Sequence, residues 1–144
     1  MKNVKKPWGN ELWIADGGRT PYALKRILFL AGNRTSLQVH QKKIETNYVL
    51  SGEGRLYRGR ELFDIDTFLV NGMTASQVDE YEQTFEVIDL SVGVVFEVFP
   101  GFVHRVEAIT DLTFIEVSSC ELDDVIRLQD DTGRTHGKIN TEHE

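Results

Sequence analysis

The stretch SLQVHQKKIETNYVLSG, residues 36–52, decides how the rest of the chain is read. Residues 34–40 alternate in character, with Leu37 and Val39 on one side and Gln38 and His40 on the other. Successive side chains of a strand point to opposite faces, so Gln38 and His40 project together. After a Lys42-Lys43-Ile44 bend, Glu45 opens the next strand, over residues 47–50, which Ser51-Gly52 closes. A tight antiparallel return brings Glu45 back to the same end of the sheet. Far along the chain, His104 follows Pro100-Gly101 at the start of another alternating segment. One amide oxygen, two imidazoles and a carboxylate make a mixed nitrogen and oxygen set. Such a set suits one first-row divalent ion and leaves a position for water or substrate. Gln38, His40, Glu45 and His104 are therefore the expected metal ligands.

Working outward, the same short-strand pattern recurs. Strands are expected over residues 22–30, 55–57, 92–99, 104–108 and 112–117, punctuated by Gly, Pro and Asn. The fold class is all-β, an antiparallel sandwich or barrel with few short helices. Residues 123–128 fit either one helical turn or a final strand. Residues 59–89, with Phe63, Phe68, Tyr81 and Phe85 beside Asp64, Asp66, Asp79, Glu80, Glu82 and Glu86, are expected to form a hairpin and then a short helix over 74–81. Residues 134–144 are polar and read as a frayed tail. Trp8 and Trp13 are read as packing residues that seal one end of the barrel.

Composition bounds the function. The chain of 144 residues has room for one domain, residues 1–144. Its 16 basic and 23 acidic residues give a net charge of −7, which argues against a nucleic-acid footprint. No apolar run nears the roughly 20 residues of a membrane helix, and the basic start lacks the apolar stretch of a signal peptide. The single cysteine, Cys120, excludes an internal disulfide and fits a cytoplasmic setting. Lys25, Arg26, Arg34, Lys42, Lys43 and Arg105 flank the ligands and are candidates for a phosphate-binding rim. Lys25, Arg34 and Lys42 are assigned to substrate binding, and Lys43 and Arg105 to catalysis. Strand alternation, however, sends Arg105 to the face opposite His104.

These residues carry a family resemblance. Gly32-(5)-Gln38-x-His40-(4)-Glu45-(6)-Gly52 resembles the first cupin motif, with Gln where many cupins have their first His. Gly93-(6)-Pro100-Gly101-x-x-His104 resembles the second. The chain is similar, more narrowly, to the cupin domain of type II mannose-6-phosphate isomerases. That likeness rests on Lys6-Pro7-Trp8-Gly9, Leu24-Lys25-Arg26-Ile27, Ile115-Glu116-Val117, residues 124–128 and Asp130-Asp131-x-Gly133-Arg134, besides the two motifs. The resemblance implies a double-stranded β-helix (jelly-roll) barrel holding one divalent metal, whether Zn, Mn, Fe, Ni or Co. It implies aldose–ketose isomerisation of a sugar phosphate or nucleotide sugar through a cis-enediol. Two alternatives remain open: a non-catalytic sugar-binding metallo-cupin accessory to polysaccharide synthesis, and a metal-dependent dioxygenase. The family pattern has Arg where Lys43 stands, an aromatic where Asn47 stands and Asn where Ala108 stands. Residues 59–89 look like an insertion relative to the family. The guanylyltransferase domain that often accompanies it has no counterpart in these residues. A homodimer is expected too, because the N-terminal arm, residues 1–14, has no evident strand partner within the chain and cupins of this kind often exchange such an arm.

Overall fold

The computed structural model describes residues 1–134 and 136–139. In chain order the elements are β1 (Lys2–Lys6), β2 (Gly9–Asp16), β3 (Ala23–Phe29), β4 (Leu37–Val39), β5 (Glu45–Ser51), β6 (Gly54–Arg58), α1 (Ile65–Asn71), α2 (Ala75–Glu82), β7 (Glu86–Leu90), β8 (Val95–Val98), β9 (His104–Ala108), β10 (Leu112–Ser118), β11 (Val125–Gln129) and β12 (Gly137–Ile139). Two six-stranded sheets result, one ordered β1-β2-β3-β10-β5-β8 and the other β12-β11-β4-β9-β6-β7. The strand pairings within them are antiparallel.

Period-two burial explains how the sheets meet. In β3, Ala23, Lys25, Ile27 and Phe29 are buried, while the residues between them are partly or fully exposed. In β10 the inward set is Leu112, Phe114, Glu116 and Ser118. Ile27, Phe29, Val49, Leu56, Phe96, Val106 and Phe114 fill the space between the sheets as one core. Trp8 stacks on Phe29 with ring centroids 4.0 Å apart, as its packing role predicts. At about 1.5–3 kcal/mol per buried large apolar side chain, this core is the main force closing the barrel.

Three expectations change here. The N-terminal arm has an intrachain partner: β1 pairs with β2 from Lys2↔Trp13 to Lys6↔Gly9, and β2 pairs with β3. Its sequence, KNVKK, carries one buried apolar residue, so no periodicity announces it. Residues 59–89 hold two helices before β7 rather than a hairpin and a helix. Asp64 caps α1 by accepting from the Thr67 N–H, and Thr74 and Gln77 form a capping box on α2. The helices lie on the outer face of the second sheet, where Phe68, Val78 and Phe85 pack against Leu37, Val39, Val103 and Ile126, with Phe63 and Tyr81 alongside. Finally, the tail is not wholly frayed, since Gly137–Ile139 adds β12 to the edge of the second sheet. Thr135 and residues 140–144 of that tail lie outside the described residues. Residues 123–128 resolve as strand β11.

Candidate metal centre

The barrel's other interior region is polar. A cavity of about 60 Å³ opens between the sheets, floored by Trp8, Phe29, Phe96 and Phe114. Gln38, His40, Lys43, Glu45 and His104 line it, together with Glu11, Lys25, Asn47, Glu116 and Arg134. Gln38 on β4 sits directly across from His104 on β9. Glu45 reaches the same space from β5 of the opposite sheet. One donor atom from each of His40, Glu45 and His104 lies within 4.8 Å of the others. The His40 and His104 rings are 5.0 Å apart, and His104 Nε2 is 3.9 Å from Glu45 Oε1.

Both imidazoles are presented in the form a metal needs. His40 Nδ1 lies 2.5 Å from the Asp124 carbonyl oxygen and His104 Nδ1 lies 3.1 Å from that of Phe102. A carbonyl only accepts, so each Nδ1 carries the proton and each Nε2 keeps its lone pair. His40 Nε2 is buried without a hydrogen-bond partner. An orphaned acceptor of this kind costs stability unless something fills the space before it. Burial, with the Lys43 ammonium nearby, holds His40 well below the ordinary histidine range. Burial likewise lowers His104 to about 4. Both rings are thus neutral at physiological pH, as ligation requires. Burial alone would raise the Glu45 pKa, but the Lys43 ammonium, a hydrogen bond from Glu116 and the Lys25 charge together lower it, which favours the carboxylate. Gln38 Oε1 accepts from the Ser36 hydroxyl at 2.9 Å, which fixes the amide and leaves its second lone pair. Ligand bonds of about 2.0–2.2 Å are reached by small side-chain movements from these separations. The residues fit a divalent ion.

The loop between His40 and Glu45 is held by one side chain. The Asp124 carboxylate accepts from the backbone N–H groups of Gln41, Lys42 and Lys43 at 3.0, 2.6 and 2.9 Å. That grip turns the loop so that Lys43 points inward. Its ammonium lies 3.3 Å from Glu45 and 3.4 Å from Glu116, and these carboxylates raise its pKa against the effect of burial. Lys25 also faces the cavity, 3.4 Å from Glu11 and 3.9 Å from Glu116, with its ammonium over the Trp13 ring.

The expected basic rim separates into two groups. Lys25 and Lys43 reach the cavity. Arg105 does not: it is fully buried on the outer side of the second sheet, bonded to the Thr35 carbonyl, Glu82 and Gln129. Alternation along β9 turns it away from His104, so it ties α2 to the barrel and does not line the cavity. Arg34 is paired with both carboxylate oxygens of Asp131 outside the cavity, and Lys42 is exposed and outside it too. Asp130 is buried and clasps Arg134.

Glu11, Asn47 and Glu116 were not expected at the site. All three are buried in-facing residues of the first sheet. The signal for Glu116 was present in the alternation Leu112, Phe114, Glu116: a carboxylate at a core parity. Burial pushes the Glu116 carboxyl up, and neighbouring Glu45 adds to this against Lys43.

Two antiparallel sheets packed face to face, with a His-Glu-His cluster between them, give this chain the cupin fold. Among solved structures it is similar to oxalate decarboxylase from Bacillus subtilis, with a TM-score of 0.63 and 17% identity over 89% of this chain and 30% of that one. It is also similar to the capsular polysaccharide assembling protein CapF from Staphylococcus aureus, with a TM-score of 0.60 and 17% identity over 89% of this chain and 31% of that one. KdgF from Halomonas sp. matches with a TM-score of 0.60 and 18% identity, over 86% of this chain and 90% of that one. The chain therefore spans about a third of the oxalate decarboxylase and CapF chains but nearly all of KdgF. At such identities the likeness is one of fold. No protein-family model matches the chain, and no curated protein does. Among the described residues no helix is long and apolar enough to cross a membrane.

Proposed function

We propose that this chain is a divalent-metal enzyme that interconverts the aldose and ketose forms of a small hydroxy-carbonyl compound of the sugar type. The carrying observation is the buried, unpartnered His40 Nε2, facing a cavity shared with Glu45, His104 and a wall of ionisable groups. A metal held by Gln38, His40, Glu45 and His104 would act as a Lewis acid toward the carbonyl and hydroxyl oxygens. Zn and Mn both suit this nitrogen and oxygen set, and Mn(II) centres are named for the oxalate decarboxylase of similar fold.

The chain's own residues supply the rest. Isomerisation takes a proton from the carbon beside the carbonyl and returns it to the former carbonyl carbon, while a second proton passes from the hydroxyl oxygen to the carbonyl oxygen, with an enediol between. Glu116 is the candidate carrier, a buried carboxyl in the cavity outside the His-Glu-His cluster, with Lys43 beside it to stabilise charge as it develops. The aromatic floor excludes bulk water. Its size limits what enters: about 60 Å³ admits the reacting end of a sugar and not a nucleotide. Lys25 and Lys43 are already ion-paired with carboxylates, so a phosphate on the substrate would lie outside this space.

Proton NMR in deuterium oxide tests the reading, with a panel of trioses to hexoses, their phosphates and several divalent metals. The expected result is solvent deuterium at the carbon next to the carbonyl and growth of the isomer. Binding without exchange would select a sugar-binding metallo-cupin, the reading that the tied-up lysines favour next. Oxygen consumption with iron would select a dioxygenase. Either result refutes the isomerase.

A further inference from the structure

We propose that Asn47 is the specificity residue of this cavity, its Oδ1 taking a hydrogen bond from a hydroxyl of the ligand. The site would then select polyhydroxy carbonyl compounds over simple hydroxy-carbonyl ones. The proposal rests on the metal-centre reading above and deepens it.

Asn47 is 1% exposed and lines the cavity. Its Nδ2 donates to the Phe96 carbonyl oxygen at 3.4 Å, which sets the orientation of the amide. Its Oδ1 is left buried with no hydrogen-bond partner. His40 Nε2 and Asn47 Oδ1 are thus two orphaned acceptors lining one cavity. A metal answers the first. An amide oxygen that is buried calls for a donor, and a neutral O–H matches it without the desolvation cost of an ammonium. The nearby cations do not serve, because Lys25 and Lys43 are turned to Glu11, Glu45 and Glu116.

The spacing defines the ligand. Glu45 and Asn47 are both inward residues of β5. Two positions along a strand set their side chains parallel and roughly 6.5–7 Å apart. A three-carbon unit spans that distance, with its carbonyl and first hydroxyl at the His-Glu-His end and its second hydroxyl at Asn47. By strand register Asn47 sits between Glu116 and Phe96. The same row therefore offers the hydroxyl acceptor, the proton carrier and an aromatic edge for the carbon chain. The cavity of about 60 Å³ has room for about four to six waters, at roughly 10–15 Å³ of probe volume each, which matches a ligand end of this size.

The test compares dihydroxyacetone with hydroxyacetone, which lacks the second hydroxyl, by isothermal titration of zinc-loaded full-length protein. Wild type should favour dihydroxyacetone about tenfold, the value of one buried hydrogen bond. Asn47→Leu should bind the two equally, and Asn47→Ala repeats the comparison should the larger side chain disturb packing. Metal-free Asn47→Leu should melt within a few degrees of wild type, because the one bond it loses, Nδ2 to the Phe96 carbonyl, is long at 3.4 Å and Oδ1 has no protein partner to lose. A purely structural Asn47 would instead lower the melting temperature and leave the ligand ratio unmoved. A wild type that holds zinc but shows no preference, or a preference that survives in both variants, overturns the proposal alone. A wild type that retains no divalent metal refutes the metal-centre reading, and this proposal falls with it.

Discussion

Replacing Asp124 with Ala removes the acceptor of three backbone N–H groups and frees the loop that links His40 to Glu45. A hydrogen bond to a charged group contributes about 1.5–3 kcal/mol when buried. Asp124 is only half-buried, two of its three bonds share Oδ2, and water replaces part of the loss. About 1 kcal/mol for each bond, or roughly 2–3 kcal/mol in all, is the expected cost. For a chain of this length that is a fall of roughly 5–10 °C in melting temperature. Asp124→Asn should cost about half as much, since one amide oxygen can still serve the Lys42 and Lys43 N–H groups while the NH₂ opposes that of Gln41. The pH dependence carries the sign. Burial alone would raise the Asp124 pKa, but the three N–H bonds outweigh it and lower the folded value. The stabilisation is therefore complete above the unfolded carboxylate pKa of about 3.9 and disappears as pH falls through the lower folded value. Urea unfolding of wild type and Asp124→Ala from pH 7 to pH 2.5 is the assay. A gap that is below about 0.5 kcal/mol at pH 7, or constant down to pH 2.5, would refute the role assigned to this carboxylate.

Other outcomes follow from the same geometry. Elemental analysis of the His40→Ala, His104→Ala double variant should show no bound divalent metal, and Gln38→Ala should weaken binding less because a neutral amide is the poorest of the four ligands. Metal-free His40→Leu should melt close to metal-free wild type, since it removes an orphaned buried nitrogen but also the Nδ1–H bond to the Asp124 carbonyl. Arg105→Met should cost roughly 1–3 kcal/mol by urea unfolding, through the partners left at Glu82 and Gln129, with metal content and ligand affinity unchanged. Deletion of residues 1–14 should unfold the barrel, seen by circular dichroism, because β2 is an interior strand of the first sheet. We propose that the expected homodimer forms instead through the outward face of that sheet, where Tyr48, Leu50, Val95 and Val117 are exposed. Light scattering should then give a dimer for wild type and a monomer for Tyr48→Glu.

Alternation made much of this molecule legible. The pattern around Gln38 and His40, and the segments over residues 104–108 and 112–117, alternate because the two faces of each strand meet different surroundings: core against outer surface in β10, cavity against the helix-covered side in β4 and β9. The elements that escaped notice are held by partners distant in sequence. β1 is nearly all charged and becomes a strand only through its register with β2. α1 buries a single residue, Phe68, and its β-branched composition favours a strand; the Asp64 cap and the sheet beneath it decide otherwise. Within the site, reading by residue type found the strong ligands but grouped the basic residues by proximity in sequence. Parity separates them: Lys25 and Lys43 are inside, Arg105 faces α2, and Arg34 and Lys42 lie outside the cavity. The same parity marks Glu11, Asn47 and Glu116 as inward, although nothing in their type sets them apart from surface residues.

The donors of the cluster belong to different layers. His104 stands on β9 of the second sheet and His40 follows β4 of the same sheet, whereas Glu45 begins β5 of the first. An ion shared among them would act as a clasp across the barrel, with its binding free energy added to the work of parting the two layers. Chelation would then loosen β5 and β9 together, and their amide hydrogens would exchange with solvent in step, while the aromatic floor kept its protection. Occupancy of a site that holds a single ion would in this way set how long the whole barrel remains shut.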